Sequence, residues 1–205
     1  MGIPVFIMGE SGSGKTYSIR NMDPASVGVF LCKKAHLPFK NNSETGFKTA
    51  KHSTYQTVKN VLASAKLKSY VIDDSTFLMS DQYISRAKET GYQKYTDIGT
   101  EFANLIEFVV NKVPDDVIVY FLHHIQETNM GKVKLKTVGQ LVDNYANLEA
   151  QTNIVLYAQT DGENYTFITQ SNGSTTAKSP VDMFEKEIPN DLALVDKAIR
   201  EYWEI

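Results

Sequence analysis

The chain is poor in several features that would mark a special class. Its single cysteine, Cys32, excludes an internal disulfide and offers no zinc-ligand spacing, which suits a reducing compartment. No apolar run is long enough to span a bilayer. Met1 to Met8 has no basic start, so neither a leader nor a membrane anchor is expected, and a cytoplasmic setting is. Neither sign of charge dominates: 21 Lys plus Arg against 24 Asp plus Glu leave a net charge of −3. Any nucleic-acid site must therefore be a local patch. Repeats, linkers and low-complexity stretches are absent too. What is present is ordinary globular composition, 42% hydrophobic and 22% charged over 205 residues, which fits one domain spanning 1–205.

One segment stands out. Gly9-Glu10-Ser11-Gly12-Ser13-Gly14-Lys15-Thr16 reads G-x-x-x-x-G-K-[ST] and follows the apolar stretch Ile3 to Met8. Glycines let the backbone wrap an anion so that successive N–H groups point inward. Lys15 is spaced to reach β- and γ-phosphates, and the Thr16 hydroxyl to ligate Mg²⁺. Tyr17, next to the loop, is grouped with the nucleotide-binding residues, and Tyr17 to Met22 is expected to begin a helix. A chance match to the pattern in a chain of this length has a probability of about 1%. A nucleotide with Mg²⁺ is the expected ligand.

A second apolar run, Ser69 to Ile72, delivers Asp73-Asp74-Ser75-Thr76. A carboxylate at the end of such a strand serves the Mg²⁺ shell, and Asp73 is favoured for it. Asp74 either orients the attacking water or caps a helix together with Ser75. Elsewhere strand-like and helix-like stretches alternate. Val27–Cys32, Val117–Leu122, Ile154–Gln159 and Tyr165–Gln170 read as strands, while 55–68, 99–113 and the tail from Asp191 read as helices. Asp161 to Asn164 is the expected turn of a hairpin. The fold class predicted is α/β: a mostly parallel central sheet, helices on both faces, and antiparallel strands near the C-terminus.

Among nucleotide-binding classes, a GTPase is excluded because no Asp-x-x-Gly follows the loop, and Pro114 replaces the aspartate after Asn111-Lys112-Val113. A small-molecule kinase remains an alternative, although three arginines in all, Arg20, Arg86 and Arg200, are few for a transferred phosphate. The order of phosphate loop, Val71-Ile72-Asp73-Asp74 and Tyr120-Phe121-Leu122-His123-His124 is similar to the RecA-like P-loop NTPase core. The tail runs from Thr166-Phe167-Ile168-Thr169-Gln170-Ser171-Asn172-Gly173 through Thr176-Ala177-Lys178-Ser179-Pro180, Met183-Phe184 and Ile188-Pro189-Asn190-Asp191-Leu192. It resembles that of the phage RecA-like single-strand annealing ATPases, whose members are little more than the core. The resemblance covers roughly residues 3 to 192.

The resemblance implies an ATPase that binds single-stranded DNA, promotes annealing or strand exchange, and forms a homo-oligomer with ATP between subunits. It gives His123 or His124 the role of sensing the γ-phosphate, and Lys178 that of entering a neighbouring subunit's ATP site. It also makes the stretch after His124 a DNA-binding loop. There Lys132, Lys134 and Lys136 alternate with Val133 and Leu135, so an extended chain shows all three charges on one face, for a phosphate backbone or to protect an edge strand. Tyr92 and Lys94, in an expected loop at 90–95, suit base stacking or mere surface packing. One departure is plain: where the family carries a catalytic glutamate after its second strand, this chain has Lys33-Lys34, and the next acid is Glu44. Either Asp74 or Glu10 supplies the base, or the protein is a nucleotide-gated binding module with little turnover. Lys33 to His52, with five lysines and one acid, is a further candidate polyanion surface.

Overall fold

The computed structural model describes residues 1–41, 44, 46–138 and 147–205. In chain order its elements are β1 (Ile3–Gly9), a 3₁₀ helix (Thr16–Asn21), β2 (Val27–Leu31), β3 (Thr49–Lys51), α1 (Tyr55–Ala63), β4 (Ser69–Asp73), α2 (Thr76–Ser85) and α3 (Gln93–Lys112). Then come β5 (Ile118–Glu127), β6 (Val133–Leu135), a second 3₁₀ turn (Leu148–Gln151), β7 (Ile154–Thr160), β8 (Tyr165–Ile168), β9 (Glu187–Pro189) and α4 (Leu192–Trp203).

The sheet order is β3-β2-β4-β5-β1-β7-β8-β9, with β6 pairing the far end of β5. In that order the strands from β3 to β7 are all parallel; β8 pairs antiparallel with β7, and β9 antiparallel with β8. The molecule is therefore α/β with a mostly parallel mixed sheet. Strands buried on both faces explain the unbroken apolar runs, since alternate side chains enter opposite cores. Phe6, Met8, Val119 and Phe121 face α1, α2 and α3, whereas Val5, Ile7, Tyr120 and Leu122 face α4 and the first 3₁₀ helix.

Among the element boundaries that differ from the sequence reading, β5 runs on to Glu127 and β8 stops at Ile168, and three others have a local reason. The segment after the phosphate loop is a 3₁₀ helix ending at Asn21, because Asp23 precedes Pro24 and is pushed from helical geometry. α1 ends at Ala63, five residues early, where the backbone N–H groups of Lys66 and Leu67 bond the buried Tyr70 hydroxyl. α3 begins at Gln93, six residues early, because Lys94 Nζ donates to the carbonyls of Arg86 (3.4 Å) and Glu89 (2.9 Å) that end the preceding helical segment.

Candidate functional site

The phosphate loop hangs between the end of β1 and the 3₁₀ helix. Gly9 must lack a side chain: a Cβ there would lie 2.4 Å from Ser13 Oγ and 2.8 Å from the Ala158 carbonyl. Gly14 has φ +89°, and the Tyr165 ring edge stands 2.6 Å from where its Cβ would be, so only glycine fits. Gly12 shares the left-handed geometry, while Glu10 and Ser11 are exposed and Ser13 Oγ is buried without a partner. Lys15 is buried, and its ammonium donates to the carbonyls of Gly9 (2.9 Å) and Glu10 (2.7 Å). Burial lowers its pKa, opposed by the charges of Asp74 and Asp73.

Thr16 Oγ1 donates to Asp73 Oδ1 at 2.8 Å, joining the loop to the end of β4. Asp73 is nearly inaccessible, and burial pushes its carboxyl up to about 6 against the lowering effect of that hydrogen bond. Asp74 follows with φ +56°, a left-handed turn unusual for a side-chain-bearing residue. The twist swings its carboxylate towards His124, whose Nε2 lies 3.2 Å from Oδ1 and whose partnership lowers the Asp74 pKa. Beyond Ile72 the β4–β5 ladder is replaced by the start of α2. Ser75 N–H donates to the Leu122 carbonyl (2.9 Å), and Thr76 Oγ1 accepts from His124 N–H (2.8 Å).

The two histidines have different settings. His124 lines an open cavity of about 640 Å³, together with Lys15, Thr16, Lys33, Asp74 and Phe77. His123 does not line it, so of the two alternatives the cavity takes His124. His123 is wholly buried against Phe6 and Phe102. Its Nε2 is 2.8 Å from the Lys136 carbonyl, and its Nδ1 is 2.8 Å from Ser75 Oγ. A carbonyl can only accept, so Nε2 carries the hydrogen and Nδ1 accepts from the serine hydroxyl. Burial holds the ring neutral, with its pKa down at about 3.

No protein-family model and no curated protein matches this chain. Its function rests on the cavity's own chemistry. Among the described residues no three His, Cys, Asp or Glu side chains gather into a closed metal site. Mg²⁺ asks for less, because water and phosphate oxygens fill most of its shell. The Thr16 hydroxyl and the Asp73 carboxylate, already in contact, fit that ion as its two protein groups. Bound there, it would supply positive charge to offset that of the phosphate groups.

The remaining candidates lie elsewhere. Tyr92 is exposed at the start of α3. Lys94 is 7% exposed, with its ammonium bound to carbonyls and resting over Tyr83 and Tyr95 (5.2 Å each). It is therefore a helix-joining residue and is not presented to a nucleic acid. Lys132 and Lys136 are exposed on either side of β6, Lys134 is half-buried within it, and Leu135 packs inward. β6 pairs antiparallel with β5, so this segment is the return strand of a hairpin. Lys178 pairs by its backbone with Val155 on the edge of β7, and it does not line its own chain's cavity. Of the basic stretch 33–52, residues 42, 43 and 45 lie outside the described residues, and Lys33 reaches the cavity.

The sequence reading missed Tyr165 and Phe77, whereas Ser75, read as a possible cap, is the N-cap of α2. Tyr165 covers Gly14 and lies 5.7 Å from the Tyr17 ring, which in turn carries the Arg20 guanidinium at 4.1 Å. No local pattern marks Tyr165, because its place depends on pairing between strands distant from the loop. Among the described residues no helix is long and apolar enough to cross a membrane.

Proposed function

We propose that this chain is an ATP- and Mg²⁺-binding NTPase of the RecA-like type, which binds single-stranded DNA and promotes annealing or strand exchange in phage recombination. The observation that carries the nucleotide part is the gathering of Lys15, Thr16, Asp74 and His124 in one cavity, with Asp73 bonded behind Thr16. That set offers a phosphate-wrapping loop, a cation for the β- and γ-phosphates, a Mg²⁺ pair, and an Asp–His pair able to orient water.

The DNA part is supported by continuity. β5 leaves the cavity at His124 and runs on into the hairpin that carries Lys132, Lys134 and Lys136. His123 bonds both the start of α2 and the Lys136 carbonyl, so movement at Asp74 and Ser75 would be felt by the hairpin. A homo-oligomer with Lys178 reaching a neighbour's site completes the reading. A second reading, a nucleotide-gated binding module with little turnover, is favoured by Lys33 standing where the family places a catalytic acid.

ATP hydrolysis measured with and without single-stranded DNA separates the two. The experiment uses wild type, Lys15→Ala, and the triple variant with Lys132, Lys134 and Lys136 changed to Ala. DNA stimulation that both variants lose is the expected result. Activity indifferent to DNA in the wild type would favour the binding module.

A further inference from the structure

Lys33 is the cavity residue that the mechanism above leaves unused. β2 ends in register with β4, Leu31 opposite Asp73, and Cys32 N–H donates to the Asp73 carbonyl at 3.2 Å. Lys33 therefore leaves the sheet at the level of Asp73 and Asp74, on the side of the cavity away from β1. Its ammonium rests over the Phe77 ring at 4.6 Å, and the same ring packs edge-on against His124 at 6.2 Å. Phe77 thus touches two nitrogen-bearing side chains of the cavity lining, while Lys15 follows the end of β1, which β4 and β5 separate from β2.

Lys33 is placed by the Phe77 ring, and its charge helps to lower the Asp74 pKa, after the larger effect of His124. Among the described residues it makes no ion pair, and Asp74, the single carboxylate lining the cavity, is engaged by His124. A cavity lined by two lysines and a single carboxylate has a positive balance that suits an anion with more than one phosphate.

We propose that Lys33 is a terminal-phosphate clamp: it contacts the γ-phosphate from the end of β2 and makes the site prefer a nucleoside triphosphate to a diphosphate. This rests on the nucleotide-binding reading above and adds to it a residue and a selectivity. A cation here neutralises the third phosphate, whereas a carboxylate in the same place would repel it and attract water.

The test is direct binding, in Mg²⁺, of ADP and of a non-hydrolysable β,γ-imido ATP analogue. It compares wild type with Lys33→Met and Lys34→Met. Lys33→Met keeps an unbranched stem on Phe77 and removes only the charge; Lys34, an exposed neighbour, controls for bulk charge. In Lys33→Met the triphosphate should bind about tenfold or more weakly, the scale of one charged hydrogen bond, with ADP changed by less than about twofold. Lys34→Met should leave both affinities as in wild type. Equal losses for both nucleotides, no loss for either, or the same loss in Lys34→Met would overturn the clamp while nucleotide binding stands. If wild type bound neither nucleotide, the proposed function itself would fail, and the clamp with it.

Discussion

Asp73 and His123 sit a few side chains apart and respond to acid in opposite senses. Burial raises the Asp73 carboxyl from 3.8 to about 6, so the folded protein binds this proton more readily than the unfolded chain does. Its ionised form then costs stability above pH 6, on the order of 2–3 kcal/mol, and the cost disappears as the pH falls towards 3.8. His123 moves from 6.5 down to about 3, so the unfolded chain takes up a proton that the fold refuses, and stability is lost as the pH falls below 6.5. Between about pH 6 and 4 the two slopes oppose each other, one proton against one. Asp73→Asn keeps an acceptor for Thr16 and removes the charge. It should melt several degrees above wild type at pH 7 without nucleotide, and the gap should close as the pH is lowered to 4. A constant gap in thermal melts across that range would show that Asp73 is not ionised at a cost. The same variant should abolish the Mg²⁺-dependent part of nucleotide stabilisation. Asp74 is the strained residue, and Asp74→Gly should relieve its left-handed backbone while removing the partner of His124. Hydrolysis should fall at least tenfold while the melting temperature holds or rises, a separation that activity assays and melts on one preparation will read.

β5 is the element on which the site depends. It lies between β1 and β4, whose ends carry the phosphate loop and the two aspartates, and its own far half forms the hairpin with β6. β6 is short, holding three register pairs, and Leu135 is its buried anchor. Leu135→Ala should cost about 2 kcal/mol or more, with amide exchange speeding up first in residues 125–135 rather than in β1. His123→Leu fills the same space without the two polar bonds. Nucleotide binding should survive it, whereas any DNA effect on hydrolysis should weaken, because the link between Ser75 and Lys136 is cut. Strands of this kind were legible in the sequence since burial on two faces leaves unbroken apolar runs, as in Val5-Phe6-Ile7-Met8. The glycine-rich loop at the cavity was legible because its residues are contiguous. The two histidines could not be told apart, since adjacent residues of a strand point oppositely and the sequence does not say which direction meets the cavity. Lys94 was misread for a related reason: its partners are carbonyls at the end of another helical segment, and backbone carbonyls leave no signature in composition.

At the scale of the whole molecule, the charge balance of −3 makes every basic surface a local affair, and Lys178 lies on an edge away from its own cavity. Under the proposed reading that lysine serves a neighbour. Lys15→Ala and Lys178→Ala should then each be inactive alone, yet regain part of the hydrolysis when mixed, because some sites pair an intact Lys15 with an intact Lys178. A mixture no more active than its components would confine Lys178 to its own subunit. The other end of the sheet carries a different kind of constraint. Tyr165 opens β8 opposite Thr160 and lays its ring against Gly14, so a turn of four residues sets the seating of a loop more than 140 positions earlier. One residue inserted into β8 would turn that ring to the opposite face of the sheet and uncover the phosphate loop. The strand that follows the turn is thus held to a fixed register by a loop far from it in sequence.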